Sequence, residues 1–192
     1  MKHLILASTS KYRKQLLEQL QWPFSVMAPD VDETVYKDQM MSPKDLAEKL
    51  SYLKAHDVLS KNPDAVVIGS DQVCSLENTI FSKPQNKENA LNQLKQMSGR
   101  KHQLLTSVTI CSSEDSFTWT NITSLTMRML NDAEIERYLD IDTPYDCAGS
   151  YKLESMGIKL FSRIEMSDHT AIIGLPLIEI SNTLLSRFGF KF

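Results

Sequence analysis

Apolar residues fall along this chain in two rhythms, and each rhythm predicts its own elements. Short unbroken apolar runs predict strands buried on both faces: Leu4 to Ala7, and Ala65-Val66-Val67-Ile68-Gly69 as the central strand. Phe24 to Ala28 and Ile158 to Ile164 predict two more. Two long alternating stretches, about His102 to Ser112 and Ser116 to Arg128, are joined by Glu114-Asp115. They predict an antiparallel hairpin with one face in water. Glu77-Asn78 marks a tighter hairpin turn, from which Ile80-Phe81 returns.

Helical spacing fills the intervals. Leu16, Leu17 and Leu20 follow the hydroxyl cap Ser10. Ser42-Pro43-Lys44-Asp45 opens a helix to about Ser60, with Ala47, Leu50, Lys54 and Val58 on one stripe. Asn86 caps a third, with Ala90, Leu91, Leu94 and Met97 inward and Ser98-Gly99 as its stop. Asn131-Asp132-Ala133-Glu134 is a capping box for a helix through Tyr138 and Leu139, closed by Pro144. Gly174-Leu175-Pro176 opens the last helix, with Leu177, Leu184 and Phe188 on one side and Gly189 as its stop.

The informative residues are those that break these patterns. Arg13 precedes the leucines of the first helix by three, four and seven positions, so it lies on the inward side near the N-terminus. Ser8, Thr9 and Ser10 add hydroxyls and backbone N–H groups beside it. Together they suit an anion, although a plain cap and a solvated charge explain them equally well. Lys54 interrupts an apolar stripe; it either snorkels or reaches a buried anion. Asp71 stands past the carboxyl end of the central run, which continues into Val73-Cys74-Ser75-Leu76 rather than turning. A carboxylate embedded in a strand needs a partner or a metal. Asp30, Asp32 and Glu33 form an acidic cluster, either a solvated loop or oxygen ligands for Mg²⁺ or Mn²⁺. Lys83, before Pro84, is held extended.

Composition narrows the classes. The chain has 192 residues, enough for one domain with a real core or one with a small added lobe. A net charge of −3 provides no basic field, which argues against nucleic acid as the main partner, so an anionic ligand must be held by local cations. Cys74, Cys111 and Cys147 fit a reducing compartment, and neither they nor four scattered histidines have metal-ligand spacing. With no signal-peptide pattern and no bilayer-length apolar run, the expected location is cytoplasmic, away from membranes.

Arg13, Lys54 and Lys83 with Glu33 and Asp71 make a poor set for acyl transfer and a good one for a phosphate chain with a divalent ion. Neither a P-loop nor a dinucleotide fingerprint is present.

Seven segments, in order, resemble the Maf family of nucleoside triphosphate pyrophosphatases. They are Ser8-Thr9-Ser10-Lys11-Tyr12-Arg13, Val31-Asp32-Glu33-Thr34, Leu53-Lys54-Ala55, Gly69-Ser70-Asp71-Gln72-Val73, Ser82-Lys83-Pro84, Cys147-Ala148-Gly149-Ser150-Tyr151 and Gly174-Leu175-Pro176. The resemblance runs from residue 4 to about residue 185. It implies an α/β fold, a curved mixed sheet with helices in two lobes of a single domain spanning 1–192, and a nucleotide in the cleft. It also implies hydrolysis between the α and β phosphates with a divalent cation, and a homodimer. Carried onto this chain, it implies that Ser8, Ser10, Arg13, Lys54 and Lys83 bind the triphosphate. Glu33 and Asp71 would hold the metal, and Asp71 would accept the proton.

The branch that takes dTTP and UTP usually carries Pro-Arg-Arg after the Ser, Asp-Thr at the strand end and Gln in the late turn. Here the corresponding residues are Tyr12, Gln72 and Glu154. Ser70-Asp71-Gln72-Val73-Cys74, Cys147-Ala148-Gly149-Ser150 and Glu154 look like the branch that hydrolyses 7-methyl-GTP, and Tyr12 departs from it, since Trp is common at that position. A Glu can accept from the N1–H and N2–H₂ edge of guanine, and a cationic N7-methylated ring gains from an aromatic face. The alternatives are a dTTP/UTP pyrophosphatase, or a nucleotide-binding regulator of cell division with little catalysis.

Overall fold

Leu4–Ala7 (β1) is buried along its whole length, as a strand covered on both faces must be. The computed structural model describes residues 2–37 and 41–192. β1 pairs in parallel with Phe24–Met27 (β2) and with Val66–Leu76 (β3), so that Ala7 lies opposite Gly69. The other strands are Thr79–Phe81 (β4), Lys101–Cys111 (β5), Ser116–Met127 (β6) and Phe161–Glu165 (β7). They form one mixed seven-stranded sheet in the order β2-β1-β3-β5-β6-β7, with β4 on β3. The helices are Lys11–Glu18 (α1), Thr34–Lys37 (α2), Pro43–Lys61 (α3), Lys87–Met97 (α4), Asp132–Asp142 (α5) and Leu177–Arg187 (α6). The fold is thus mixed α/β, as expected. No helix among the described residues is long and apolar enough to cross a membrane.

The chain divides into two compact units. The first comprises residues up to Gln72, Thr106–Asn121 and Asp168–Phe192; the second is Val73–Leu105 with Ile122–Ser167. In the first unit, period-two alternation sends β1 and β3 side chains to two cores. Leu4, Leu6, Val66 and Ile68 pack with Leu16 and Leu17 of α1 and Ile180 and Leu184 of α6. Ile5, Ala7 and Val67 pack with Ala55 and Val58 of α3 on the other face. Gly69 is what lets α3 lie this close. A Cβ there would stand 2.4 Å from the Ser51 carbonyl oxygen and 2.6 Å from the Ala55 nitrogen, both backbone atoms that cannot rotate away. Gly69→Ala is therefore expected to destabilise the fold by about 3 kcal/mol, lowering Tm by roughly 9 °C in thermal unfolding.

In the second unit, β4 pairs with the end of β3, Phe81 opposite Cys74, and β7 runs antiparallel to β6 with Ile164 opposite Leu125. The capping box at Asn131 and Glu134 forms as expected, and α5 ends at Thr143 in the left-handed region.

Two expectations need correcting. The strand expected from Ile158 begins only at Phe161, because Met156–Leu160 winds into a 3-10 turn. Gly157 sets that turn: a Cβ would stand 2.2 Å from the Lys152 carbonyl oxygen. Nor has β5 a wet face, since every residue from Leu104 to Cys111 is buried. Its hydroxyls find protein partners instead of water. Ser107 pairs with Thr120 at 2.7 Å, Thr109 pairs with Thr118 at 2.8 Å and Ser51 at 3.1 Å, and Thr106 donates to the Ala171 carbonyl at 2.8 Å.

Candidate active site

The site grows from the turn after β1. The Ser8 hydroxyl accepts from the Ser10 N–H at 3.1 Å, and the Ser10 hydroxyl caps α1 by accepting from the Arg13 N–H. An accepting hydroxyl keeps its own proton to donate, so both serines retain a donor. Tyr12 is half-buried, with the Lys11 ammonium 5.0 Å above its ring. The Arg13 side chain turns inward: Nε donates to the Gly174 carbonyl at 3.2 Å, and Nη1 donates to the Ser70 carbonyl at 2.9 Å. The Ser70 hydroxyl donates to the same Gly174 oxygen at 2.8 Å.

α3 lies on β3 at Gly69, and its buried stripe therefore passes the next residues of that strand. Ala47, Leu50, Lys54 and Val58 are all buried, as their spacing predicts. The Lys54 ammonium stands 2.6 Å from Asp71 Oδ1 and 2.7 Å from Glu33 Oε1. Lys54 and Asp71 are each 8% exposed, so this is a buried ion pair with a second, half-buried carboxylate. Of the three acids before α2, Glu33 alone is drawn to Lys54 among the described contacts. Asp32 accepts from the Thr34 N–H and hydroxyl, which holds its carboxyl below the ordinary range.

Burial pushes the Asp71 carboxyl above its ordinary value; Lys54 and Arg13 oppose that shift, and Glu33 reinforces it. Burial lowers the Arg13 guanidinium from its usual value, against the opposing pull of Asp71 and Glu33. Arg13, Lys54, Glu33 and Asp71 therefore act on one another as a single electrostatic group.

Gln72 is spoken for. Its Nε2 lies 2.9 Å from the Thr106 hydroxyl, 3.1 Å from the Ala171 carbonyl and 2.9 Å from the Ile172 carbonyl. Sequence reasoning left Thr106, Asp168 and Thr170 unassigned. The Asp168-x-Thr170 spacing is a turn signal that marks the last two.

Lys83 and Glu154 belong to the second unit. Lys83 is exposed between β4 and Pro84, at a hollow that Asn89, Asn92 and Gln93 also line. Glu154 is exposed on a turn whose neighbours are anchored to the end of α5. Ser155 donates to Asp142 Oδ1 at 2.7 Å, Lys152 Nζ donates to the Asp142 carbonyl at 3.1 Å, and the Lys152 N–H donates to the Tyr138 hydroxyl at 2.9 Å.

Among the described residues no three carboxylate, imidazole or thiol groups gather as a ready metal nest. Glu33 and Asp71 are a carboxylate pair converging on one cation. One or two carboxylates, completed by water and phosphate oxygens, is the donor set that Mg²⁺ takes, so the residues present fit a hard divalent ion.

A family model described as Maf-like protein matches residues 3–187. A protein of Bdellovibrio bacteriovorus named 7-methyl-GTP pyrophosphatase is 48% identical over 95% of this chain and 96% of its own. One of the same name from Xanthomonas axonopodis pv. citri is 44% identical over 100% of this chain and 99% of its own. A nucleoside-triphosphatase, dITP/XTP pyrophosphatase, from Mycobacterium abscessus overlaps at a TM-score of 0.44 and 12% identity, covering 67% of this chain and 75% of that one.

Proposed function

Given that the chain belongs to the Maf family, we propose that it is a nucleotide pyrophosphatase that hydrolyses 7-methyl-GTP to 7-methyl-GMP and pyrophosphate. The observation that carries the reading is the Lys54 ammonium shared by Glu33 and Asp71, two carboxylates that also act on Arg13. The relatives named 7-methyl-GTP pyrophosphatase, aligned along nearly the whole chain, support the substrate.

Arg13, Lys54 and Lys83 neutralise the phosphate oxygens, and the Ser8 and Ser10 hydroxyls donate to them. Arg13 has two N–H groups tied to the Gly174 and Ser70 carbonyls, so its remaining donors are pre-oriented and little is lost on binding. A water attacks the α phosphorus while Asp71 takes its proton; the bond from that phosphorus to the bridging oxygen breaks, and pyrophosphate leaves with the electron pair. A carboxylate pushed above its ordinary range is a better base near neutral pH than a free one. Glu33 and Asp71 would hold a divalent cation such as Mg²⁺ or Mn²⁺, which supplies Lewis-acid neutralisation of phosphate charge.

Tyr12 and Glu154 read the base. The Tyr12 ring supplies an aromatic face, and an N7-methylated guanine is a cation that gains from stacking on one. Glu154 accepts from the guanine N1–H and N2–H₂ edge. Gln72 has its amide hydrogens committed to Thr106, Ala171 and Ile172, so it acts on specificity by shaping the turn rather than by donating to the base. The free cysteines suit work in the reducing cytoplasm.

Pyrophosphate release from 7-methyl-GTP, GTP, dTTP and UTP, with and without Mg²⁺, tests the proposal. The highest kcat/KM is expected for 7-methyl-GTP with metal. Preference for dTTP and UTP would move the chain to the other branch, and binding without release from any nucleotide would favour a regulator. Glu154→Gln is expected to raise KM for 7-methyl-GTP and GTP about 10-fold and leave dTTP unchanged. Equal loss on all four would remove Glu154 from base reading.

A further inference from the structure

The segment from Asp168 to Leu177 has little regular structure, yet it carries the carbonyls that hold Arg13, Ser70 and Gln72. It is tied from within by one carboxylate. Asp168 Oδ1 accepts from the Thr170 N–H at 2.9 Å and the Thr170 hydroxyl at 2.6 Å, and its Oδ2 accepts from the Ile178 N–H at 2.9 Å. The Thr170 hydroxyl in turn accepts from the Leu177 N–H at 2.8 Å. Pro176 stands at the N-cap of α6 and offers no side-chain acceptor, so these upstream residues satisfy the helix's first donors. Both are nearly inaccessible, Asp168 at 4% and Thr170 at 5% exposure. The knot closes the loop on which Gly174, at φ 122°, presents its carbonyl to Arg13 and Ser70.

We propose that Asp168, acting through Thr170 and the Gly174 carbonyl, is the positioning residue that aims Arg13 at the substrate's phosphates. The phosphate role of Arg13 rests on the function proposed above; the aiming of its side chain does not. The chemistry selects a carboxylate. Three donors converge on this side chain, and an ionised carboxylate accepts at both oxygens without presenting a hydrogen. An Asn would turn an NH₂ toward one of those donors. Relaxation of the loop would then shift the Gly174 oxygen, and the side chain aimed by it would lose its geometry.

The test reads Arg13 directly. In ¹⁵N-labelled protein its Nε–H resonance, assigned by its loss in Arg13→Lys, reports the bond to Gly174 by slow exchange with water. Asp168→Asn is expected to speed that exchange about 10-fold and to raise KM for 7-methyl-GTP about 10-fold, with kcat within about 3-fold of the parent. Thr170→Val, which removes the hydroxyl at nearly constant shape, should move both readouts the same way and serves if Asp168→Asn folds poorly. Leu184→Ala, in the core of α6, is the control: it lowers Tm and leaves Arg13 exchange and KM unchanged. If Asp168→Asn and Thr170→Val behave like that control, the knot is only a helix cap and the proposal falls. Faster exchange with unaltered substrate binding would uphold the aiming of Arg13 and count against its phosphate role.

Discussion

Asp71→Asn lowers kcat by about 10³-fold while Tm stays within about 3 °C of the parent. The two halves of this result have separate causes. The loss of rate follows from removing the proton acceptor, since an amide cannot take a proton from the attacking water. The retained stability follows from burial. The fold already holds the Asp71 carboxyl above its ordinary value, so its ionised form is carried at a cost at neutral pH. The amide keeps the shape and still accepts from Lys54, whose ammonium also keeps Glu33. Initial rates and thermal unfolding on the same preparation check both halves. Parent-like kcat would take Asp71 out of the chemical step.

Lys54→Met has the opposite profile, with stability the larger casualty. Methionine fills much of the same volume on the buried stripe but leaves Glu33 and Asp71 without their shared ammonium. Breaking a buried pair leaves an uncompensated charge, and the expected loss at neutral pH is about 3 kcal/mol, or roughly 9 °C in Tm. The pH dependence has a definite sign. A carboxyl raised in the folded state contributes stability that is fully present below its unfolded value, about 4, and is lost as pH rises through the folded value. Lys54 is the strongest influence opposing that rise. Without it the folded value climbs further, so the variant regains Tm on acidification and its deficit widens toward neutrality. The acid limb of kcat/KM moves to higher pH for the same reason, because less Asp71 is ionised. A limb that stays in place while Tm falls would separate Lys54 from the ionisation of Asp71.

Much of this arrangement was legible in the sequence because it breaks the pattern around it. Asp71 stands out as an acid in a run that continues as strand; it is expected just past the carboxyl end of the central run and lies instead inside β3, which runs through it to Leu76. Lys54 stands out on an apolar stripe, and the stripe is buried. Arg13 falls on the inward side of α1 by its spacing from Leu16 and Leu17, and its guanidinium points inward. What the sequence hid has common physical roots. The partner of Arg13 is a backbone carbonyl 161 residues away, and residue type carries no mark of which carbonyl will arrive there. The alternation of β5 reads as one wet face, but the hydroxyls of Thr106, Ser107 and Thr109 are satisfied inside the fold by the Ala171 carbonyl, Thr120 and Thr118. Ile158 and Leu160 look like strand residues, and the tight approach of Gly157 to Lys152 overrides their preference. The acids at Asp30, Asp32 and Glu33 look equivalent in the chain; Thr34 takes Asp32 as a local cap, and Lys54 reaches Glu33.

The most direct measurement is ³¹P NMR of the products formed from 7-methyl-GTP and Mg²⁺ by the parent protein and by Asp71→Asn. The parent should yield 7-methyl-GMP and pyrophosphate in equal amounts, and the variant should leave the triphosphate intact over the same period. Formation of 7-methyl-GDP with inorganic phosphate, or an unchanged triphosphate with the parent, would contradict the account.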